Sequence, residues 1–187
     1  MNNLEKLPAI NAKGRVQVVI ETQKGATAKF KFDPKLGTFK YVRPLRKGLS
    51  YPFDWGFVPS TRGEDGDPLD ALVVHDSASF PGAVIGCRPV GVLEVEQTEK
   101  GRTVRNDRVI FVPSIETVPD DADGTARKLK TLKKSLETFF KAAVAGTGKT
   151  LVYRGWRDAA GAEDAVRRAV AAAKRKSAKG KGKKKKR

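Results

Sequence analysis

Pro81-Gly-Ala-Val-Ile-Gly-Cys-Arg-Pro-Val-Gly-Val-Leu-Glu-Val95 is a long apolar stretch punctuated by Gly82, Gly86 and Gly91 and by Pro81 and Pro89. A strand over 83–95 is expected from its Val and Leu content, with bends or bulges at the glycines and prolines of the kind a small barrel needs. Outward from it, other strand patterns accumulate. Residues 15–21, Arg-Val-Gln-Val-Val-Ile-Glu, read as a strand, and Lys29-Phe-Lys-Phe32 and Thr38-Phe-Lys-Tyr-Val42 alternate polar with apolar. Asp33-Pro-Lys-Leu-Gly37 joins these last two as a hairpin connection. The aromatic-rich Tyr51-Pro-Phe-Asp-Trp-Gly-Phe-Val-Pro59 reads as a loop, and further strands are expected near 70–75 and 103–112.

The helical period appears only late. Leu129, Leu132, Leu136, Phe139, Phe140 and Ala143 share one face of a helix over 125–144, with Asp120, Asp121 and Asp123 before it as capping and dipole-favouring acids. A short strand, Leu151-Val-Tyr-Arg-Gly-Trp156, leads into a second helix over 158–175 with Ala162, Ala165, Val166, Ala169 and Val170 as its stripe. Many β segments followed by two helices indicate an α+β chain, a small barrel with helices on one side.

At 187 residues the chain suits one domain with a real core. It carries no apolar run of the roughly 20 residues a membrane span needs. Its first residues lack the basic-then-apolar pattern of a secretory signal. Cys87 is a lone cysteine, so no internal disulfide framework exists and a reducing, cytoplasmic setting is expected, with Cys87 packed as a small hydrophobe. His75 is the lone histidine, which leaves any metal chemistry to carboxylates.

The net charge of +17 is concentrated at one end. Residues 174–187 hold ten basic side chains and no acid, and the remainder has 28 basic against 21 acidic. The chain therefore divides into a domain over 1–173 and a Lys-rich tail over 174–187, expected to be disordered or to extend the last helix by a turn. Such a tail could contact nucleic acid or polyphosphate through salt-sensitive counter-ion release; no aromatic accompanies the lysines, so base stacking is not expected. A merely solubilising role is the equal alternative.

The chemistry concentrates in Asp65-Gly-Asp-Pro-Leu-Asp70. Ionised carboxylates about 5 Å apart repel by roughly 3 kcal/mol at an effective dielectric of about 20. A divalent cation can offset that, and all-oxygen ligation suits Mg²⁺ or Mn²⁺ rather than zinc. Gly66 and Pro68 shape the loop, and a plain solvated turn before a strand stands as the alternative. Ala143-Val-Ala-Gly-Thr-Gly-Lys-Thr150 fits a relaxed phosphate-loop pattern, but its order is helix, loop, strand rather than strand, loop, helix. Its glycines are read as a helix C-cap and turn.

From about residue 15 to 175 the chain resembles the soluble family I inorganic pyrophosphatases. The resemblance is carried by Val19-Ile-Glu21, Lys29, Arg43, Tyr51-Pro, the aspartate hexapeptide, Cys87-Arg-Pro-Val-Gly-Val-Leu93 and the two final helices around Gly155-Trp156, in family order. It implies a five-stranded barrel of oligonucleotide-binding-fold type, assembled as a homo-oligomer, that hydrolyses pyrophosphate to two phosphates with Mg²⁺. By that resemblance Asp65, Asp70 and Glu21 hold metal and Asp67 orients or deprotonates the attacking water. Lys29, Arg43 and Tyr51 bind phosphate.

The chain departs from the family pattern at several site positions. Lys31 stands for a glutamate, Trp55 for a tyrosine, Asn106 for an aspartate and Arg108 for a lysine, while Ala143-Val144 replace a tyrosine–lysine pair. A further aspartate has no clear counterpart among Gln97, Thr98 and Glu99. Either the site is rebuilt, with Glu99 or Asp107 supplying a ligand and Lys31 or Arg108 supplying charge, or the chain is a weakly catalytic homologue that binds phosphate or nucleic acid through barrel and tail. Asp107 could serve only through a bulge, since it otherwise points away from Asn106 and Arg108.

Overall fold

A computed structural model describes residues 3–77, 79–114 and 122–184. The long strand foreseen at 83–95 is β6, Val84–Glu99, and it organises the sheet. It pairs antiparallel with β1 (Val16–Thr22), β7 (Arg102–Arg105), β8 (Arg108–Pro113) and β9 (Lys149–Arg157). Its register slips against β8 between Pro89 and Gly91, and against β9 between Glu94 and Val95. One strand can serve so many partners because these irregularities bend it. Gly91 also lets helix α1 (Ala122–Val144) approach, since a Cβ there would sit 2.7 Å from Leu129 Cδ2.

β1 continues to β4 (Asp54–Val58), β4 to β5 (Leu69–Val73), β5 to β8 in parallel, and β8 back to β6. The β1–β6 pairing completes a ring of five strands. β2 (Ala28–Asp33) and β3 (Thr38–Pro44) form a separate hairpin. This is the α+β, OB-like arrangement with two C-terminal helices.

β4 corrects the sequence reading of 51–59 as a loop. All five of its residues are buried, so it shows no alternation to betray a strand, and its flanking prolines resemble loop punctuation. Gly56 is required in it, because a Cβ would fall 1.9 Å from the backbone oxygen of Val19 on β1. Similarly, 103–112 is two strands rather than one, interrupted at Asn106–Asp107.

Two apolar clusters lie on the two sides of the sheet. One joins Val18, Ile20, Val73, Cys87 and Phe111 to the Ala162, Ala165, Val166 and Ala169 stripe of α2 (Ala159–Lys184). The other seats Leu136, Phe139 and Phe140 of α1 on Tyr51, Trp55, Leu72, Leu93 and Ile110. Asp120 and Asp121, expected to cap α1, lie outside the described residues. Gly146 and Gly148, at φ of 79° and 75°, turn the chain from α1 into β9, as the C-cap reading of that segment requires. Among the described residues no helix is long and apolar enough to cross a membrane.

Candidate active site

A cleft of about 270 Å³ opens between the β2–β3 hairpin, the Asp65–Asp70 loop and the C-terminal end of α1. Glu21, Lys29, Arg43, Tyr51, Asp65, Asp67 and Asp70 all line it, although they span 50 residues of sequence.

Each side chain is placed by a local feature. β1 advances two residues, Ile20 to Thr22, where β4 advances one, which makes Glu21 the extra residue of a bulge. Glu21 accepts the Phe32 backbone N–H at 2.8 Å. Burial pushes its carboxyl up to about 7, against the lowering influence of that hydrogen bond and of Lys29. Lys29 and Lys31 share a face of β2 by two-residue alternation. Lys29 stands directly across from Arg43 of β3, an opposition of like charges that a sheet tolerates poorly without an anion nearby. Burial holds the Lys29 ammonium below its ordinary pKa, with Asp70 and Glu21 working the other way.

The acidic loop is tightly drawn. Asp65 Oδ1 accepts the Asp67 N–H at 3.1 Å, and a Cβ on Gly63 would lie 2.8 Å from that same oxygen. Gly66 takes φ of 93°, the left-handed conformation its residue type permits. Burial, then the charges of Asp70 and Asp67, raise the Asp65 carboxyl above its usual range. The Arg43 guanidinium donates to the backbone oxygens of Pro44 and Ala143, which ties the hairpin to the end of α1. Tyr51 is buried with its ring 5.2 Å from that of Phe139, and burial raises its phenol far above the ordinary value.

Two of the unusual residues act on the loop directly. Lys31 Nζ lies 2.6 Å from Asp67 Oδ2. Burial opposes the Lys31 charge, but the hydrogen bond and charge of Asp67 prevail and raise its pKa. Arg108 Nη1 lies 2.5 Å from Asp70 Oδ2 and 2.7 Å from the backbone oxygen of Asn106. The Arg108 guanidinium also packs over the Trp55 and Phe140 rings, at 5.3 and 5.8 Å. Trp55 thus keeps an aromatic wall where the hydroxyl is missing.

Neither substitute ligand lines the cleft. Asp107 accepts the Val95 N–H and pairs with Arg105, facing a second cavity between the acidic loop and α2. Glu99 pairs with Lys149 at 2.9 Å near the far end of β6. Gln97, Asn106, Ala143 and Val144 do line the cleft. Sequence reasoning missed Glu5, which enters from a short 3-10 turn at Leu4–Lys6 with no signal of its own. It also missed Phe140 as a bed for Arg108, since the helical period marks that residue only as core.

The donor set in the cleft is all carboxylate oxygen, which fits a hard divalent cation. Among the described residues, however, no three His, Cys, Asp or Glu side chains gather where they could hold a metal ion. Lys31 and Arg108 each engage one oxygen of Asp67 and of Asp70, which leaves those acids one oxygen apiece.

Comparison with known proteins gives a consistent result. The model of the family described as inorganic pyrophosphatase matches residues 18–174. The inorganic pyrophosphatase of Thermus thermophilus is 37% identical over 175 residues, covering 91% of this chain and 98% of that protein. That of Synechocystis is 35% identical over 144 residues, covering 72% and 85%. The crystal structure of the Thermus thermophilus inorganic pyrophosphatase superposes with a TM-score of 0.82 at 36% identity, over 92% of this chain and 99% of that one. An inorganic pyrophosphatase structure from Helicobacter pylori gives 0.72 at 30% identity, over 86% and 94%.

Proposed function

Because the chain belongs to the inorganic pyrophosphatase family, we propose that it hydrolyses inorganic pyrophosphate to two phosphates in the cleft between the hairpin and the acidic loop. The observation that carries this reading is the convergence on that cleft of Glu21, Lys29, Arg43, Tyr51, Asp65, Asp67 and Asp70. The competing reading, a weakly catalytic phosphate or nucleic-acid binder, is not favoured by relatives that all carry the enzyme's name.

The family is metal-dependent, generally on Mg²⁺. In this reading Asp65, Asp70 and Glu21, which do not converge on one point as they stand, would draw together to hold Mg²⁺, or Mn²⁺ in its stead. Such a cation, when bound, would supply a more nucleophilic water and charge to offset the phosphate oxygens. The remaining work belongs to the chain. The Asp67 oxygen that Lys31 does not hold takes the proton of the attacking water. Lys29 and Arg43, facing each other across the hairpin, bind the phosphoryl oxygens, and the planar guanidinium of Arg43 can engage two at once. The Tyr51 phenol stays protonated and serves as a hydrogen-bond donor. A homo-oligomer acting in the cytoplasm, and a basic segment 174–187 that contacts polyanions outside the catalytic domain of 1–173, complete the proposal.

The test is phosphate release from pyrophosphate in Mg²⁺, in Mn²⁺ and in EDTA. Release in either metal that stops with EDTA supports the assignment. No release in either metal overturns it.

A further inference from the structure

The acidic loop gathers carboxylates that repel one another, and something must neutralise them. In this chain two side chains already do so. Lys31 Nζ sits on Asp67 at 2.6 Å and Arg108 Nη1 sits on Asp70 at 2.5 Å. Each stands where a divalent cation would otherwise approach, and each presents it with like charge. We infer that Lys31 and Arg108 are resident counter-ions that take over part of the metal's work, so that the cleft binds pyrophosphate without a full complement of divalent cations. The inference deepens the proposed hydrolysis and takes from it only the identity of the ligand.

The two cations are held differently. Arg108 is 5% exposed, packs against the Trp55 and Phe140 rings and is tied to Asn106 O, so it is a fixture of the site. Lys31 has 43% of its side chain exposed and can swing toward an arriving anion without leaving the cleft. A second observation is independent of the ion pairs. Arg108 Nε is buried with no hydrogen-bond partner, an arrangement native proteins rarely leave without a purpose. It marks a guanidinium whose donors the protein's own acceptors meet only in part, in a residue that lines the cleft. With Lys29 and Arg43 opposed across the hairpin, four cations surround the space while Asp67 and Asp70 are already compensated.

The experiment is isothermal calorimetry on the full chain with two titrants. Pyrophosphate is added in EDTA, and Mg²⁺ is added to the protein free of phosphate. Lys31→Gln removes the charge and Lys31→Glu reverses it. Both change a partly exposed residue, and their thermal melts check that the fold is retained. The wild-type chain is expected to bind pyrophosphate in EDTA. Lys31→Glu should weaken that binding by about tenfold or more and tighten Mg²⁺ by a similar factor, with Lys31→Gln between the two. No wild-type binding in EDTA, or Mg²⁺ affinity unmoved by Lys31→Glu, overturns the inference. The two readings fail separately: binding in EDTA with no turnover in either Mg²⁺ or Mn²⁺ removes the proposed function alone, and turnover with unmoved Mg²⁺ affinity removes the counter-ion role alone.

Discussion

The guanidinium carbon of Arg108 lies 5.3 Å from the centre of the Trp55 ring, so two departures from the family pattern form one contact. A flat cation over an indole face is oriented by it, and the contact is worth about 0.5–2 kcal/mol depending on how fully it is desolvated. Trp55 and Arg108 are both buried, which favours the upper part of that range.

Trp55→Leu therefore has two expected consequences. Chemical denaturation should show a loss of about 3 kcal/mol, from the shrunken side chain and the lost ring contacts. Pyrophosphate binding should weaken by about tenfold as Arg108 loses its bed. Unchanged affinity in a folded variant would show that Trp55 does not orient Arg108.

Glu21 makes the metal-free chain sensitive to pH. Its carboxyl is raised from 4.5 to about 7, so the folded chain keeps a proton that the unfolded chain releases. The contribution to stability is therefore full below the unfolded value and is lost as pH rises through about 7. Glu21→Gln should flatten this decline in EDTA, changing the stability difference across the window by up to about 3 kcal/mol. Identical pH profiles for the two proteins in urea titrations would contradict it.

Gly56 and Gly91 should differ in what they tolerate. A Cβ at Gly56 meets the Val19 backbone oxygen at 1.9 Å, and paired strands cannot separate to accommodate it. Its nearest contact at Gly91 is the Leu129 Cδ2 terminus at 2.7 Å, which can rotate. Gly56→Ala should cost more than about 3 kcal/mol and Gly91→Ala about 1–2. Denaturant midpoints in the reverse order would sink this reading of the β1–β4 contact.

The fold was legible wherever pattern and burial coincided. β2 and β3 alternate polar with apolar residues and neither is buried along its whole length, so their hairpin could be read directly. The glycines and prolines of β6 announced its bends, and Leu136, Phe139 and Phe140 announced the buried face of α1. β4 escaped because it is buried along its whole length and carries Asp54, whose oxygens accept the Lys24 N–H and pair with His75 Nε2 at 2.6 Å. A charged residue in a buried strand is intelligible only once its distant partners are known.

The site divides in the same way. The acidic loop stands out because its residues are contiguous, whereas Asp107 sits in the break between β7 and β8 and lines the second cavity rather than the cleft. The pairs Lys31–Asp67 and Arg108–Asp70 cross 36 and 38 residues, and only the folded chain sets those distances. Glu5 reaches the cleft from a short turn that no periodicity marks.

The most direct test of the central claim is Asp67→Asn measured beside the wild-type chain for phosphate release from pyrophosphate at saturating Mg²⁺. The substitution keeps the size of the side chain and removes the oxygen that accepts the proton, so turnover should fall by about 10²–10⁴-fold while the thermal melt stays close to that of the wild type. Turnover within a factor of about two of the wild type, in a folded variant, would contradict the role given to Asp67 and with it the cleft as the place of hydrolysis.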